Sequence, residues 1–506
     1  MSGGEIAVIG AGPGGLAAAM LLSGNGYDVT VYEKQRTIGG RTSRLQLGDY
    51  RFDLGPTFFM MPHLLEEIFQ SVGRSLYDYV TMVELDPLYR LQFGDIDFRP
   101  TRKQEEMVER IEALFPGNGA GYRRFMREEE EKFRRIAPLL QRPFSKPWDY
   151  VARDVLAALP KLHATDHVYN RLSRYFADER LIYSFTFQAK YLGMSPWECP
   201  GTFTILSYLE HRYGLHHPIG GVNRICHAMA RVIEEFGGVI HTSAPVDRVL
   251  IRNGTAYGVQ LPDGDRREYD HVVINADFAT AMNTLFRPGE LKKFAPRKLA
   301  EKKYSCSTYM LYLGVNRKVN LPHHTILFAD DYRSNVKNMM SEGVLSSDAS
   351  VYVHNPGAND ATLAPDGKSA LYVLMPVPNL TGSIPWDEKE AEVRQSVLTR
   401  LERLPELAGL SGDIEAEAAV TPADWRDNYG VFQGATFNLA HSLDQMMMLR
   451  PHNRFDELRN CWLVGGGTHP GSGLPTIFES ARISAGLLMK QDRRTASCWR
   501  DVLPLP

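Results

Sequence analysis

Near the start of the chain, a set of glycines, an acid and an arginine have the types and spacing to bind a diphosphate nucleotide. Gly10, Gly12 and Gly15 stand in "GAGPGG" and fit the G-x-G-x-x-G pattern. Gly10 lets the chain turn, Gly12 lets backbone approach a pyrophosphate, and Gly15 lets helix and strand pack closely. Glu33, near the end of "YDVTVYEK", falls about where an acid reaches a ribose 2′-hydroxyl. In "IGGRTSRL", Gly39 and Gly40 offer a second backbone approach, and the Arg41 guanidinium suits diphosphate oxygens. "RFDLGPTFF" then brings another Gly-Pro turn. A nicotinamide enzyme needs only the first fingerprint, because its cofactor leaves after each turnover. This denser set suits a dinucleotide that is wrapped and retained, as FAD is.

These residues need a strand, a tight turn and a helix to position them. Ile6 to Ile9 read as a short buried strand, and Leu16 to Leu22 continue in strong helix formers. The helix N-terminus then faces the phosphate. "ALFPGNGAGY" (113–122) and "NPGANDATLAPDG" (355–367) read as loops, and the chain between 122 and 215 reads mostly helical. "QEEMVERIEALF" sets Met107, Val108, Ile111, Leu114 and Phe115 on one helical face. In "REEEEKFRR", Glu128–Lys132 and Glu131–Arg135 at i,i+4 spacing predict a solvated, ion-paired face. From His217 the alternation of elements returns. A helix over "VNRICHAMARVIEEF" precedes two strands around an Asn253-Gly254 turn, a second turn at Asp263-Gly264, and the apolar strand "HVVINAD". These would complete a nucleotide-binding sheet begun at residue 5. The predicted α/β fold therefore has a discontinuous Rossmann-like domain (1–95, 215–290 and 451–490), a helical region (96–214) and a mixed α/β substrate domain (291–450).

The composition removes several classes. With 506 residues, 43% hydrophobic and 23% charged, the chain can bury two or three cores. A net charge of −3 without a basic tract gives no sign of a nucleic-acid partner. Cys199, Cys226, Cys306, Cys461 and Cys498 are scattered, with no C-x-x-C pair, and read as reduced thiols of a cytoplasmic protein. A strand beginning by Glu5 leaves no room for a signal peptide, and no stretch nears the ~20 apolar residues of a membrane span. The adjacent His216 and His217 lack further ligands, so no metal is expected.

"GAGPGGLAAA…VYEK…GGRTSRL…FDLGPT" resembles the amine-oxidase-like superfamily of FAD proteins. "CWLVGGGTHPGSGLPTIFESARISAGLL" (461–488) resembles one branch of it, the bacterial and fungal phytoene desaturases, and the likeness extends over nearly the whole chain. The resemblance implies an enzyme that binds FAD without a covalent bond and desaturates long isoprenoid hydrocarbons drawn from a bilayer. Its helical region would meet the membrane surface peripherally, and oxygen or a quinone would take the electrons. Carried over to this chain, the FAD set is Gly10, Gly12, Gly15, Glu33, Gly40 and Arg41. Gly55, Pro56 and Thr57 would lie near the flavin, and Val246, opening the first meander strand, would meet the adenine. Gly466, Gly467, Leu474 and Pro475 would line the ribityl chain and ring. Two departures stand out. Gly467 replaces an acid common in the wider superfamily, and "LPTIFESARIS" departs from the version more usual for C40 substrates. The second keeps 4,4′-diapophytoene, the C30 analogue, beside phytoene.

Desaturation removes a hydride and a proton from adjacent carbons, and the flavin takes the hydride. No Ser-His-Asp or paired-carboxylate device is recognisable. His469 reads either as a general base or as a turn histidine beside the flavin. Arg153 and Asp154, where the resemblance also places Arg-Asp, read either as partners of a developing cation or as a helix-surface pair. Met446 to Met448 read as an apolar lining or as core filler. Rival readings on the same fold are a carotenoid isomerase, a carotenoid terminal-methyl oxidase, an amine or porphyrinogen oxidase, and a flavin-free carrier of prenylated proteins.

Overall fold

The computed structural model describes residues 4–493; Cys498 lies outside them. A five-stranded parallel sheet runs in the order Cys461–Leu463, His271–Ile274, β1 (Glu5–Ile9), β2 (Asp28–Tyr32) and Val239–His241. Its strands come from far-separated stretches of chain. α1 (Pro13–Gly24) links β1 to β2, with Leu16 through Leu22 wholly inaccessible. Helices Asn223–Glu235 and Leu474–Gln491 cover it, which is why α1 is apolar on every side. Its small Ala17, Ala18 and Ala19 let those neighbours come close. The meander strands Arg248–Arg252, Thr255–Gln260 and Arg266–Glu268 form a separate antiparallel sheet. Asn253 and Gly254, at φ 51° and 68°, make the predicted turn.

The second large sheet has seven strands: Ile414–Val420, Ser307–Val315, Ser369–Val377, Val351–His354, His324–Leu327, Arg90–Phe93 and Ile96–Phe98. Only the His324–Leu327 and Arg90–Phe93 pair is parallel. Val393, Val397, Leu398 and Leu401 of helix Trp386–Leu401 fill one face. Tyr50, Phe52, Met310, Tyr312 and Tyr372 pack on the other. The hairpin 90–98 belongs to this sheet, so the boundary expected at 95 cuts through a paired element.

The helical region differs from expectation at two places. The loop predicted over 113–122 is confined to a few residues, because helix Gln104–Leu114 ends and helix Gly119–Leu140 begins within it. The charged run on the second of these helices is also not wholly solvated. Glu131 pairs with Arg135 at the surface as predicted. Lys132, however, is 1% exposed and bonds Glu129 at 2.6 Å and Thr204 at 2.8 Å, while Glu128 accepts from Tyr175. The helix is flanked on its inner side by Gly201–Tyr213, so that turn of charges faces protein rather than water.

Candidate cofactor and substrate site

At the carboxyl ends of the parallel strands the predicted glycines converge. Gly10 has φ +99°, and a Cβ there would strike the carbonyl of Asn275; one on Gly15 would strike the carbonyl of Gly10. Gly12 is different. Its backbone is extended (φ −74°), and a Cβ would find within 4 Å only the Asn275 amide, at 3.0 Å. The fold itself therefore does not demand glycine at 12, whereas close approach of a diphosphate does. A Cβ on Gly40 would lie 3.5 Å from Gly12 Cα, so the two glycine turns face each other, tied by Gly39 N donating to Ala11 O at 2.8 Å. This cradle fits a dinucleotide at the N-terminus of α1.

Glu33, 5% exposed, accepts from Ala11 N at 2.8 Å and Gln35 N at 2.9 Å. Each oxygen keeps lone pairs for ribose hydroxyls. Ala244 N donates to Glu33 O, so the segment holding Val246 passes this acid. Val246 precedes the meander strand, which begins at Arg248, rather than opening it. Arg41 donates to Thr436 O at 2.6 Å and lies 3.7 Å from Asp277. With its amide oxygen turned to Arg41 at 2.7 Å, Asn438 donates to Asp277 at 2.9 Å. Burial raises the Asp277 carboxyl, and Arg41 opposes that rise.

Tyrosines of the seven-stranded sheet hold the Leu54–Thr57 turn. Tyr312 donates to Leu54 O at 2.6 Å, Tyr372 donates to Gly55 O at 2.8 Å, and Tyr352 shares a hydrogen bond with Thr57 at 2.6 Å. A Cβ on Gly55 would lie 2.6 Å from Arg41 O. Pro56 sits between these two anchored residues. From the other side, Gly466 O accepts from buried Arg450 at 2.6 Å. A Cβ on Gly467 would press on Phe278 Cβ at 2.5 Å. Phe278 thus accounts for a residue without a side chain at position 467. Leu474 and Pro475 form the first turn of the C-terminal helix, after Gly473 at φ +109°.

The three catalytic candidates are placed otherwise. His469 is 3% exposed and donates through Nε2 to Arg142 O at 2.7 Å. Burial lowers its pKa to about 4, so it is neutral near pH 7. Asp154 is exposed and ion-paired with the Arg142 guanidinium, and Arg153 is exposed at the start of helix Arg153–Leu162. His469 is therefore held against the Arg142 carbonyl, and Asp154 is a surface residue paired with Arg142 rather than with Arg153. Met447 packs on Leu139, Phe144, Val155 and Ala158.

Asn275, Asp277, Asn438 and Arg450 belong to none of the glycine-rich motifs above. Asn275 and Asp277 directly follow strand His271–Ile274, and a strand's carboxyl end is where such sheets bind ligands, so a signal existed. Two buried polar clusters gave none, because their members lie far apart in the chain. Glu210 accepts from Tyr89 at 3.0 Å and Gln188 at 2.8 Å, and burial pushes its carboxyl up to about 7. His217, His323, His324 and His354 gather where strand His216–Pro218 meets the seven-stranded sheet, and burial lowers His323 to about 3 and holds His324 and His354 well below the ordinary histidine value.

Comparison with known proteins agrees with this geometry. The family model described as "Flavin containing amine oxidoreductase" matches residues 13–489. A Methylomonas protein named 4,4′-diapophytoene desaturase (4,4′-diapolycopene-forming) is 47% identical over 97% of this chain and 96% of its own length. A zeta-carotene-forming phytoene desaturase of Myxococcus xanthus is 38% identical over 96% and 94%. The solved structure of an oxidoreductase from Methanosarcina mazei shares the fold at a TM-score of 0.62 and 18% identity, covering 96% of this chain and all of that one.

Proposed function

Because the chain belongs to the flavin-containing amine oxidoreductase family and is an FAD-dependent carotenoid desaturase, we propose that it acts on 4,4′-diapophytoene and binds FAD without a covalent bond. FAD, when bound, supplies the hydride acceptor for desaturation. The chain's own residues do the rest. Gly12 and Gly40 admit the diphosphate, Arg41 neutralises it, and Glu33 accepts from the ribose. The Gly55–Thr57 turn and Gly466–Pro475 confine the flavin between the two sheets, held by Tyr352, Tyr372 and Arg450. A hydrocarbon offers no hydrogen bonds to recognise. The aromatic seam around Phe58, Tyr191, Phe187 and Phe328 supplies shape and excludes water.

The observation that carries the C30 assignment is the 47% identity to a diapophytoene desaturase, against 38% to a phytoene desaturase over the same span. Expression in one host making diapophytoene and another making phytoene, with pigment analysis, tests it. Coloured products from diapophytoene are expected; desaturation of phytoene alone would overturn the choice. An exposed apolar strip supports peripheral membrane contact. Trp148 (63% exposed), Val151 (66%), Leu156 (50%) and Leu159 (48%) fall within one turn and the following helix, with Lys146, Arg153 and Lys161 beside them. Among the described residues no helix is long and apolar enough to cross a membrane.

A further inference from the structure

We propose that His217, His323 and His354 form a divalent-cation site, whose imidazole donors suit a borderline ion such as zinc, that clamps the segment leading into the nucleotide-binding part onto the substrate sheet. The three rings are buried, at 0%, 4% and 1% exposure, and their ligand atoms lie within 4.8 Å of one another. His323 Nε2 and His354 Nε2 are 3.1 Å apart. Two imidazole nitrogens on one tetrahedral zinc, each at ~2.0–2.1 Å, stand roughly 3.3 Å apart. Without a cation this contact holds one proton between two nitrogens.

Hydrogen bonds behind the rings settle which nitrogens point inward. His217 Nε2 donates to Asp360 at 2.9 Å, which leaves Nδ1 with the lone pair; that atom is buried and has no partner. His323 Nδ1 bonds Asn359 at 3.1 Å, leaving Nε2 as the free donor atom. An acceptor on the outer nitrogen is the usual support of a metal-binding histidine, because it fixes the tautomer and raises the basicity of the inner nitrogen. Asp360 is itself held by Gly220 N at 2.6 Å and Thr362 N at 2.9 Å. Three imidazoles without a thiolate suit zinc and exclude the hard cations, which prefer oxygen.

The ligands come from separate parts of the fold. His217 lies in strand His216–Pro218, His354 ends a strand of the seven-stranded sheet, and His323 immediately precedes another. A cation would cross-link them without touching the dinucleotide cradle, so this inference does not depend on which hydrocarbon is the substrate.

The test uses tag-free full-length protein carrying FAD, stripped with a chelator and then equilibrated with zinc or cobalt(II). About one zinc per chain is expected, with visible cobalt(II) bands of a tetrahedral nitrogen site and a higher unfolding temperature when metal is present. His354→Gln should lower zinc stoichiometry more than 10-fold while the flavin spectrum reports an intact fold. His167→Gln, at an exposed histidine elsewhere, should change nothing. If His354→Gln does not fold, the cobalt(II) spectrum of the unaltered chain decides. Absence of those bands, or zinc bound no better than by His354→Gln, overturns the site and leaves a hydrogen-bonded histidine cluster.

Discussion

At the scale of single residues, the glycines separate into those the protein needs and one that its ligand needs. Gly12→Val meets only a side-chain amide in the protein but stands where the diphosphate must come. Purified Gly12→Val should fold, with an unchanged circular-dichroism spectrum, and lose at least ~10-fold in FAD content. Gly10→Val, which strikes a carbonyl, should fail to fold; flavin retained in Gly12→Val would refute the cradle. His469 carries a second prediction. Its pKa is about 4 in the fold against 6.5 for an unhindered histidine, so between these values the unfolded chain binds a proton that the folded chain refuses. Stability from this group is full above pH 6.5 and is lost as pH falls toward 4, by about 2 kcal/mol at pH 5. His469→Gln keeps a donor for the Arg142 carbonyl but does not titrate. Its stability deficit against the unaltered protein should therefore shrink by that amount between pH 7 and pH 5 in denaturant titrations. Its turnover at matched FAD content should fall less than the ~10²-fold expected on losing a general base.

Single elements explain both what could be read in the sequence and what could not. The strand–turn–helix of β1 and α1 was legible because its glycines, apolar run and following acid are contiguous. The late strand "HVVINAD" was legible from its apolar pattern. Lys132 was misread because i,i+4 spacing describes one helix alone, whereas the neighbour covering it arrives some 70 residues later, with Thr204. The histidine cluster was invisible for the same reason. The Glu129–Lys132 pair is buried, so removing one partner should be costly: Lys132→Met should destabilise by roughly 3–5 kcal/mol. Glu129→Gln/Lys132→Met should recover most of that, as measured by chemical unfolding. The strip over Trp148, Leu156 and Leu159 predicts the opposite pattern. Replacing all three with serine removes apolar surface already in water and should leave the unfolding temperature within a few degrees. Its effect should appear in vesicle sedimentation, as at least a ~100-fold loss of liposome binding, since each such side chain contributes about 1–2 kcal/mol when buried in lipid.

At the scale of the whole molecule, two sheets meet at the proposed cofactor site, and the arrangement explains why fold and site were unequally readable. The parallel sheet announces itself through local fingerprints. The seven-stranded sheet is a set of ordinary strands whose contribution, three tyrosines behind Leu54–Thr57, exists only after long-range pairing. The same long-range construction has a consequence for how the protein is made. β1 and β2 are synthesised far ahead of the last strand of their sheet, which waits for Cys461–Leu463 and the helix that follows. At ~5–20 residues per second, that is roughly 20–90 seconds during which the face of α1 that packs on helix Leu474–Gln491 has no partner. A complete flavin site is therefore expected only once the C-terminal helix has been made. Loading is then expected after synthesis, and a chain released into a cell short of flavin would keep an unfilled cradle between Gly12 and Gly40, open to chaperones and proteases.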